Sequence, residues 1–288
     1  GTFAQEMDDL ESASKFYIAS LSDSRFPRVT SIRKFLDFVV IMANNKSLIQ
    51  DAKGKELFDS NISAIQYALK EEIQKNKFEP RLFTDLATVH TIRYIIDEQD
   101  IDKDLSIAYI KQAISLTPDR PQYYNLLSES YVIFNEPEKA IQAAQTSFAM
   151  NENYNETYIF LVSSYTKSND LDKAFSYYQE FLKKGYQVRS DDAAAKLGQK
   201  FIENSEPQKA EQLYNLWLEA STLEGVPENS KVLINLTIVS LILDNPEQAI
   251  SYAKRAVLAK SSLEAEVNYI IQEIEQGRVE ALLEQILE

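Results

Sequence analysis

Residues 124–148, YNLLSESYVIFNEPEKAIQAAQTSF, and residues 158–182, YIFLVSSYTKSNDLDKAFSYYQEFL, lie 34 positions apart and set like residues on like. Tyr124 falls on Tyr158, Leu127 on Leu161, Tyr131 on Tyr165, Ala140 on Ala174 and Phe148 on Leu182. Large residues at the first, fourth and eighth places line one face of an amphipathic stretch, and a small residue comes early in the next. A fixed period of 34 residues built this way predicts repeated helix-turn-helix units, each packed on its neighbours.

On either side of these two stretches the same pattern recurs with less fidelity. Ala194, Leu197, Gly198, Phe201 and Ala210 form a further unit, slipped by two residues because Ala174 to Ala210 spans 36. Leu233, Leu236, Thr237, Ser240 and Ala249 form another, with Thr and Ser in place of the small residue and the second aromatic. Upstream, Phe83, Leu86, Ala87 and His90 match a first helix whose partner ends at Ala113 and Pro118, with a linker about seven residues longer than the pattern allows. The turns Asn135-Glu-Pro-Glu138, Ser205-Glu-Pro-Gln208 and Asp244-Asn-Pro-Glu247 read as helix starts. Each has a capping side chain three residues before an acid or amide and a proline in the first turn.

The chain therefore resembles the tetratricopeptide-repeat family. The resemblance implies an all-α fold, an α-solenoid of helix-turn-helix repeats wound into a right-handed superhelix. Units are expected near 80–118, 121–152, 155–186, 191–222 and 230–261, within an array spanning 77–262. An N-terminal helical region at 1–76 of degenerate repeats and capping helices at 263–288 complete the expected organisation. In this family the first helix of each unit lines a concave face through places two, five, nine, twelve and thirteen. Those places nominate Arg81, Thr84, Thr88, Asn125, Glu129, Glu156, Ile159, Ser163 and Lys167 as the surface for a protein or peptide partner; the same residues could simply face water. The Lys and Asn arrangement with which some members clamp a terminal carboxylate is not reproduced, since Asn125 and Glu129 stand where Lys and Asn would be needed.

Composition agrees with a helical array and excludes several function classes. Of 288 residues 44% are hydrophobic and 26% charged, with only six glycines and eight prolines, as in ordinary soluble proteins of continuous helix. Thirty basic against 44 acidic residues leave a net charge of −14. Such a surface repels nucleic acid, whose binding depends on clustered Lys and Arg, so no nucleic-acid partner is expected. Without cysteine there are no disulfides, thiolate nucleophiles or zinc-thiolate sites. Apolar runs at 35–43 and 232–243 are shorter than the ~20 residues a spanning helix needs, so no membrane insertion of this chain is expected. Gly1 in place of an initiator methionine reads as a cloning remnant on part of a longer protein.

A narrower resemblance is carried by a succession of segments: RVTSIRKFLDFVV at 28–40, KNKFEPRLFTDLA at 75–87, LTPDRPQYY at 116–124 and KKGY at 183–186. In that order they are similar to the soluble repeat region of bacterial O-antigen ligase or polymerase-like membrane proteins. The resemblance covers roughly residues 5–186 and implies tethering to the bacterial inner membrane, with the glycosyl-transfer residues in the absent membrane part. No catalytic residue carries over.

The remaining chemistry-bearing residues form no recognisable catalytic pattern. His90 is the sole histidine and stands where the repeat wants a packed aromatic, so a core role outweighs a catalytic one. The pairs Asp8–Asp9, Glu71–Glu72 and Asp191–Asp192 are adjacent along helices and diverge. The glycines never cluster into a phosphate loop. Neither cofactor nor metal is expected. In the last repeat Ile234, Ile238, Leu241 and Ile242 add a second apolar face to the one containing Leu233 and Leu236, and such a helix must be covered. Val279, Leu282, Leu283, Ile286 and Leu287 offer the cover, either by folding back within the chain or by forming a homodimer. The expected function is thus a non-catalytic interaction scaffold, free-standing or membrane-attached. A peptide-sensing regulator is the alternative, although residues 1–45 lack the basic recognition helix such regulators carry.

Overall fold

The computed structural model describes residues 3–22, 28–186, 192–221 and 228–287. Asp191 and the ends of the fifth unit at 191 and 222 fall outside them. The described residues form sixteen α-helices and one short 3-10 turn, and contain no strand. The chain divides into two compact units, 1–136 and 137–288.

The first unit holds α1 (Phe3–Ser20), α2 (Arg28–Asn44), α3 (Lys46–Gln50), α4 (Ala52–Lys75), α5 (Pro80–Asp97), α6 (Asp100–Leu116) and α7 (Pro121–Ile133). One apolar cluster joins α1 to α5, with Ile32, Phe35, Val39, Phe58, Ile65, Leu69, Leu82 and Val89 fully enclosed. Polar contacts fix the register of these helices. Arg33 reaches Asp85 at 2.9 Å between α2 and α5, and buried Asn61 donates to Ser14 at 2.8 Å between α4 and α1. The tightest pairing in this unit is the α5–α6 hairpin. Its extra length resides in the helices, of 18 and 17 residues against 13 in α7. Only Glu98 and Gln99 separate the two. The long linker expected from the sequence is therefore helix.

The second unit holds α8 (Pro137–Met150), α9 (Asn155–Lys167), α10 (Leu171–Lys183), α11 (Asp192–Glu203), α12 (Pro207–Ser221), α13 (Ser230–Ile242), α14 (Pro246–Ala259), α15 (Glu264–Glu275) and α16 (Val279–Leu287). Each helix packs on its successor, and α9 also packs on α11. The repeat residues form the shared core: Leu161, Val162, Tyr165, Leu197, Phe201, Leu233 and Leu236 are all buried. Ala140, Ala174, Ala210 and Ala249 are each 0% exposed; a larger side chain there would push apart helices packed at this density.

First helices end in one recurring way. Asn135, Asn169, Ser205 and Asp244 all take left-handed φ of 56–63°. The amide of the next residue reaches back five places, from Glu136 to Tyr131, Asp170 to Tyr165, Glu206 to Phe201 and Asn245 to Ser240, at 2.8–3.0 Å. This is the Schellman closure, which satisfies the otherwise orphaned last carbonyls. Asn135, Ser205 and Asp244, expected to cap the second helices, instead terminate the first ones. In the last of these turns the capping role passes to the next residue: Asn245 Oδ1 accepts from the Gln248 backbone amide at 3.3 Å. Gly185 and Gly277 close α10 and α15 in the same way, with φ of 73° and 71°.

Candidate partner-binding cleft

Four helices of the second unit, α11, α12, α13 and α16, enclose a cleft of about 360 Å³. Its walls carry Asp192, Ala195, Lys196, Gln199 and Ile202 from α11, Tyr214 from α12, Lys231, Asn235 and Ile238 from α13, and Ile286 from α16. Lys231 Nζ meets Asp192 Oδ1 at 3.2 Å, an exposed ion pair that bridges two walls. An exposed pair of this kind contributes little stability, so its consequence is positional. Among the described residues Lys196 has no carboxylate partner. The remaining lining alternates apolar surface (Ala195, Ile202, Ile238, Ile286) with the carboxamides of Gln199 and Asn235.

Tyr214 shapes this cleft through a close approach to Gly198. A Cβ placed on Gly198 would lie 2.2 Å from Tyr214 Oη and 2.3 Å from Cζ. The ring thus lies directly on the α11 backbone, its hydroxyl donating weakly to the Ala195 carbonyl at 3.4 Å. Burial pushes the phenol up to about 12, so it stays protonated and can donate at any physiological pH.

No family model and no curated protein matches the sequence. Solved structures resemble its fold. The structure resembles a tetratricopeptide repeat protein from Parabacteroides merdae at a TM-score of 0.50 and 9% identity, with 93% of each chain covered. It resembles BtubC (BKLC) from P. vanneervenii at a TM-score of 0.52 and 14% identity, covering 70% of this chain and 91% of that one. The fold is that of the tetratricopeptide repeat.

Placed in tetratricopeptide-repeat register, with Ala194 and Leu233 aligned on Tyr124, the cleft residues acquire a common origin. Asp192, Ala195, Gln199 and Ile202 are places two, five, nine and twelve of the fifth unit, and Lys231 and Ile238 are places two and nine of the sixth. These are the family's concave places, but in the units after those nominated from sequence. Asn235, at place six, and the contributions of α12 and α16 had no signal in a reading confined to those five places. The nine nominated residues do not line this cleft. Arg81, Thr84 and Thr88 share α5, where both hydroxyls bond back into their own helix, Thr84 to the Arg81 carbonyl and Thr88 to the Thr84 carbonyl at 2.9 and 3.0 Å. On α7, Glu129 is exposed but Asn125 is buried at 2%, so the structure leaves it no open surface to offer. On α9, Lys167 is exposed, Ile159 and Ser163 are half-buried, and the Glu156 carboxylate accepts from the Tyr154 hydroxyl.

The histidine is a core residue with a buried acid partner. His90 Nδ1 lies 2.6 Å from Asp102 Oδ1, and Arg93 Nε lies 3.3 Å from the other carboxylate oxygen. Tyr109 stacks on the ring at 5.6 Å. The Gln66 amide nitrogen, 3.5 Å from Nε2, is a donor facing the other ring nitrogen, which fits a neutral imidazole protonated on Nδ1. Burial holds the histidine below its ordinary value against the opposing pull of Asp102. The pair ties α5 to α6. The described residues contain no group of three or more His, Asp or Glu placed to hold a metal ion. No described helix is long and apolar enough to cross a membrane.

Proposed function

We propose that this protein is a non-catalytic interaction scaffold that receives a partner's peptide segment in the cleft of its fifth and sixth repeats. The observation that carries the reading is the convergence of six concave-place residues, Asp192, Ala195, Gln199, Ile202, Lys231 and Ile238, on one cleft. Gln199 and Asn235 can each donate to and accept from polar groups of the bound segment, while Ile202 and Ile238 receive an aliphatic side chain. Lys196 adds a preference for an acidic neighbour in the segment. The test is selection from a displayed random-peptide library on the intact protein. Enriched sequences should combine an aliphatic and an acidic residue and lose binding on Ile238→Arg but not on Glu129→Arg. Enrichment that survives Ile238→Arg and disappears with Glu129→Arg would return the site to the earlier repeats.

Attachment of this scaffold to a membrane O-antigen ligase or polymerase-like protein rests on the ordered segments at 28–40, 75–87, 116–124 and 183–186. The full-length gene decides between that and a free-standing adaptor or peptide-sensing regulator. Ten or more apolar spans upstream support attachment; an upstream helix-turn-helix supports the regulator.

A further inference from the structure

We propose that helix α16 is a displaceable occupant of the partner surface, and that its replacement is an acidic amphipathic helix with aliphatic residues spaced like Val279, Leu282, Leu283 and Ile286. The proposal rests on the cleft being the partner site. Helix α16 does not extend the hairpin stack; it packs back on α13 as well as on α15. There Leu282 is buried with Leu241, Ile270 and Ile274, flanked by half-buried Val279, Leu283 and Ile286. Leu241 is place twelve of the sixth unit, and Ile286 forms a wall of the cleft beside Ile238, place nine. An amphipathic helix of this chain thus already lies across concave places, in the helix-in-groove mode.

Its hold is slight for a permanent wall. Nine residues make too short a helix to persist without its seat. Among its described side chains only Leu282, 2% exposed, is fully buried. Arg278, just before it, is fixed to Glu273 on α15 by paired hydrogen bonds of 2.6 and 2.5 Å, so release would begin at Val279. Charge also identifies the replacement. Helix α16 carries Glu280 and Glu284 and no basic residue, and the cleft beside it presents Lys196, which has no carboxylate partner among the described residues, next to the Lys231–Asp192 pair.

The experiment uses the full chain and a fluorescent peptide of sequence 279–287, read by anisotropy. In the native chain the tethered helix competes at an effective concentration on the order of millimolar, and the peptide binds weakly. Leu282→Glu weakens the tethered copy and should raise peptide affinity by about tenfold or more. Because the chain has no cysteine, the double variant Tyr269→Cys, Gln285→Cys can be bridged by a bis-maleimide; Tyr269 Oη and Gln285 Oε1 lie 3.1 Å apart. Bridging should abolish binding. A second variant guards against misfolding: a flexible insertion after Arg278 leaves the seat and the Arg278–Glu273 pair intact and lowers the effective concentration. It should also raise peptide affinity, or form concentration-dependent dimers by exchange of α16. A folded Leu282→Glu chain and a monomeric insertion variant that both bind no better than the native chain would overturn the proposal. If Ile238→Arg still abolished library binding in that case, the cleft would stand and only the displaceable helix would fall.

Discussion

Gly198→Ala tests the packing that shapes the cleft. In the middle of a helix this change ordinarily gains about 0.5–1 kcal/mol, because alanine loses less backbone entropy on folding. Here the new methyl would sit 2.2 Å from Tyr214 Oη, 2.3 Å from Cζ and 2.7 Å from Cε1. Contact distance for such atoms is about 3.5 Å, so the ring must move by more than an ångström. Tyr214 is 3% exposed, and it can move only by separating α11 from α12 or by swinging into the cleft. Overpacking of this kind costs about 1–3 kcal/mol, which set against the helix gain leaves a net loss of up to about 2.5 kcal/mol. Tyr214→Leu removes all three clashing atoms at a cost of about 2 kcal/mol for the space it leaves. In that background Gly198→Ala should become neutral or stabilising, a coupling of about 2 kcal/mol in a double-mutant cycle.

Trp217 supplies the readout. It is the only tryptophan, is fully buried and lies 6.2 Å from the Tyr214 ring on the same helix. Its fluorescence during urea unfolding therefore reports the α11–α12 hairpin, which matters because repeat arrays open unit by unit. Equal effects of Gly198→Ala in both backgrounds would refute the wedged ring.

Ser205 occupies a left-handed conformation without the local hydrogen bonding that lets Asn and Asp tolerate it, so Ser205→Gly should raise stability by about 0.5–1 kcal/mol and Asn135→Gly by less, measured as urea midpoints. Since burial lowers the His90 value relative to its ordinary 6.5, the unfolded chain binds the proton first as pH falls. The neutral ring's contribution is therefore complete above about pH 6.5 and is lost progressively below it. Urea midpoints between about pH 7.5 and 5.5 should decline in the native chain and decline less in His90→Phe. Gly54→Ala sets a Cβ 2.1 Å from the Leu48 carbonyl oxygen, where backbone rather than a side chain must yield, and should cost about 3 kcal/mol in thermal unfolding followed by circular dichroism. Asn125→Arg should lower the thermal stability of the first unit by about 1–3 kcal/mol, because it forces a charge into a site 2% exposed, rather than selectively weaken partner binding.

The sequence made the hairpins legible because Tyr158, Leu161, Tyr165 and Ala174 touch residues within one or two helices of themselves. Contacts that repeat locally leave a period behind. It was less informative about the turns, for a definite reason. Asn, Ser and Asp are favoured both where a side chain caps a helix start and where a backbone turns left-handed at a helix end, and the two sites here are neighbours. Asn169, one period after Asn135, held the decisive signal, since its own turn contains no proline and Asp170 follows it as the side-chain cap of α10.

The cleft divides in the same way between local and distant information. Counting concave places through the fifth and sixth units yields Asp192, Ala195, Gln199, Ile202, Lys231 and Ile238, all fixed by register alone. Nothing in the register brings Tyr214 over Gly198, or Ile286 back across more than forty residues to Ile238. Those approaches follow from a missing Cβ and from an apolar α13 face that water does not cover. Asp102 is likewise invisible beside His90 until the α5–α6 turn proves to be two residues long. What a repeat sequence encodes periodically is the frame; the residues that depart from the period, Gly198 beneath a tyrosine and the apolar face of α13 beneath α16, are the ones that give one position of that frame a shape of its own. A partner selective for this protein must read those departures, because the periodic places alone are common to every unit.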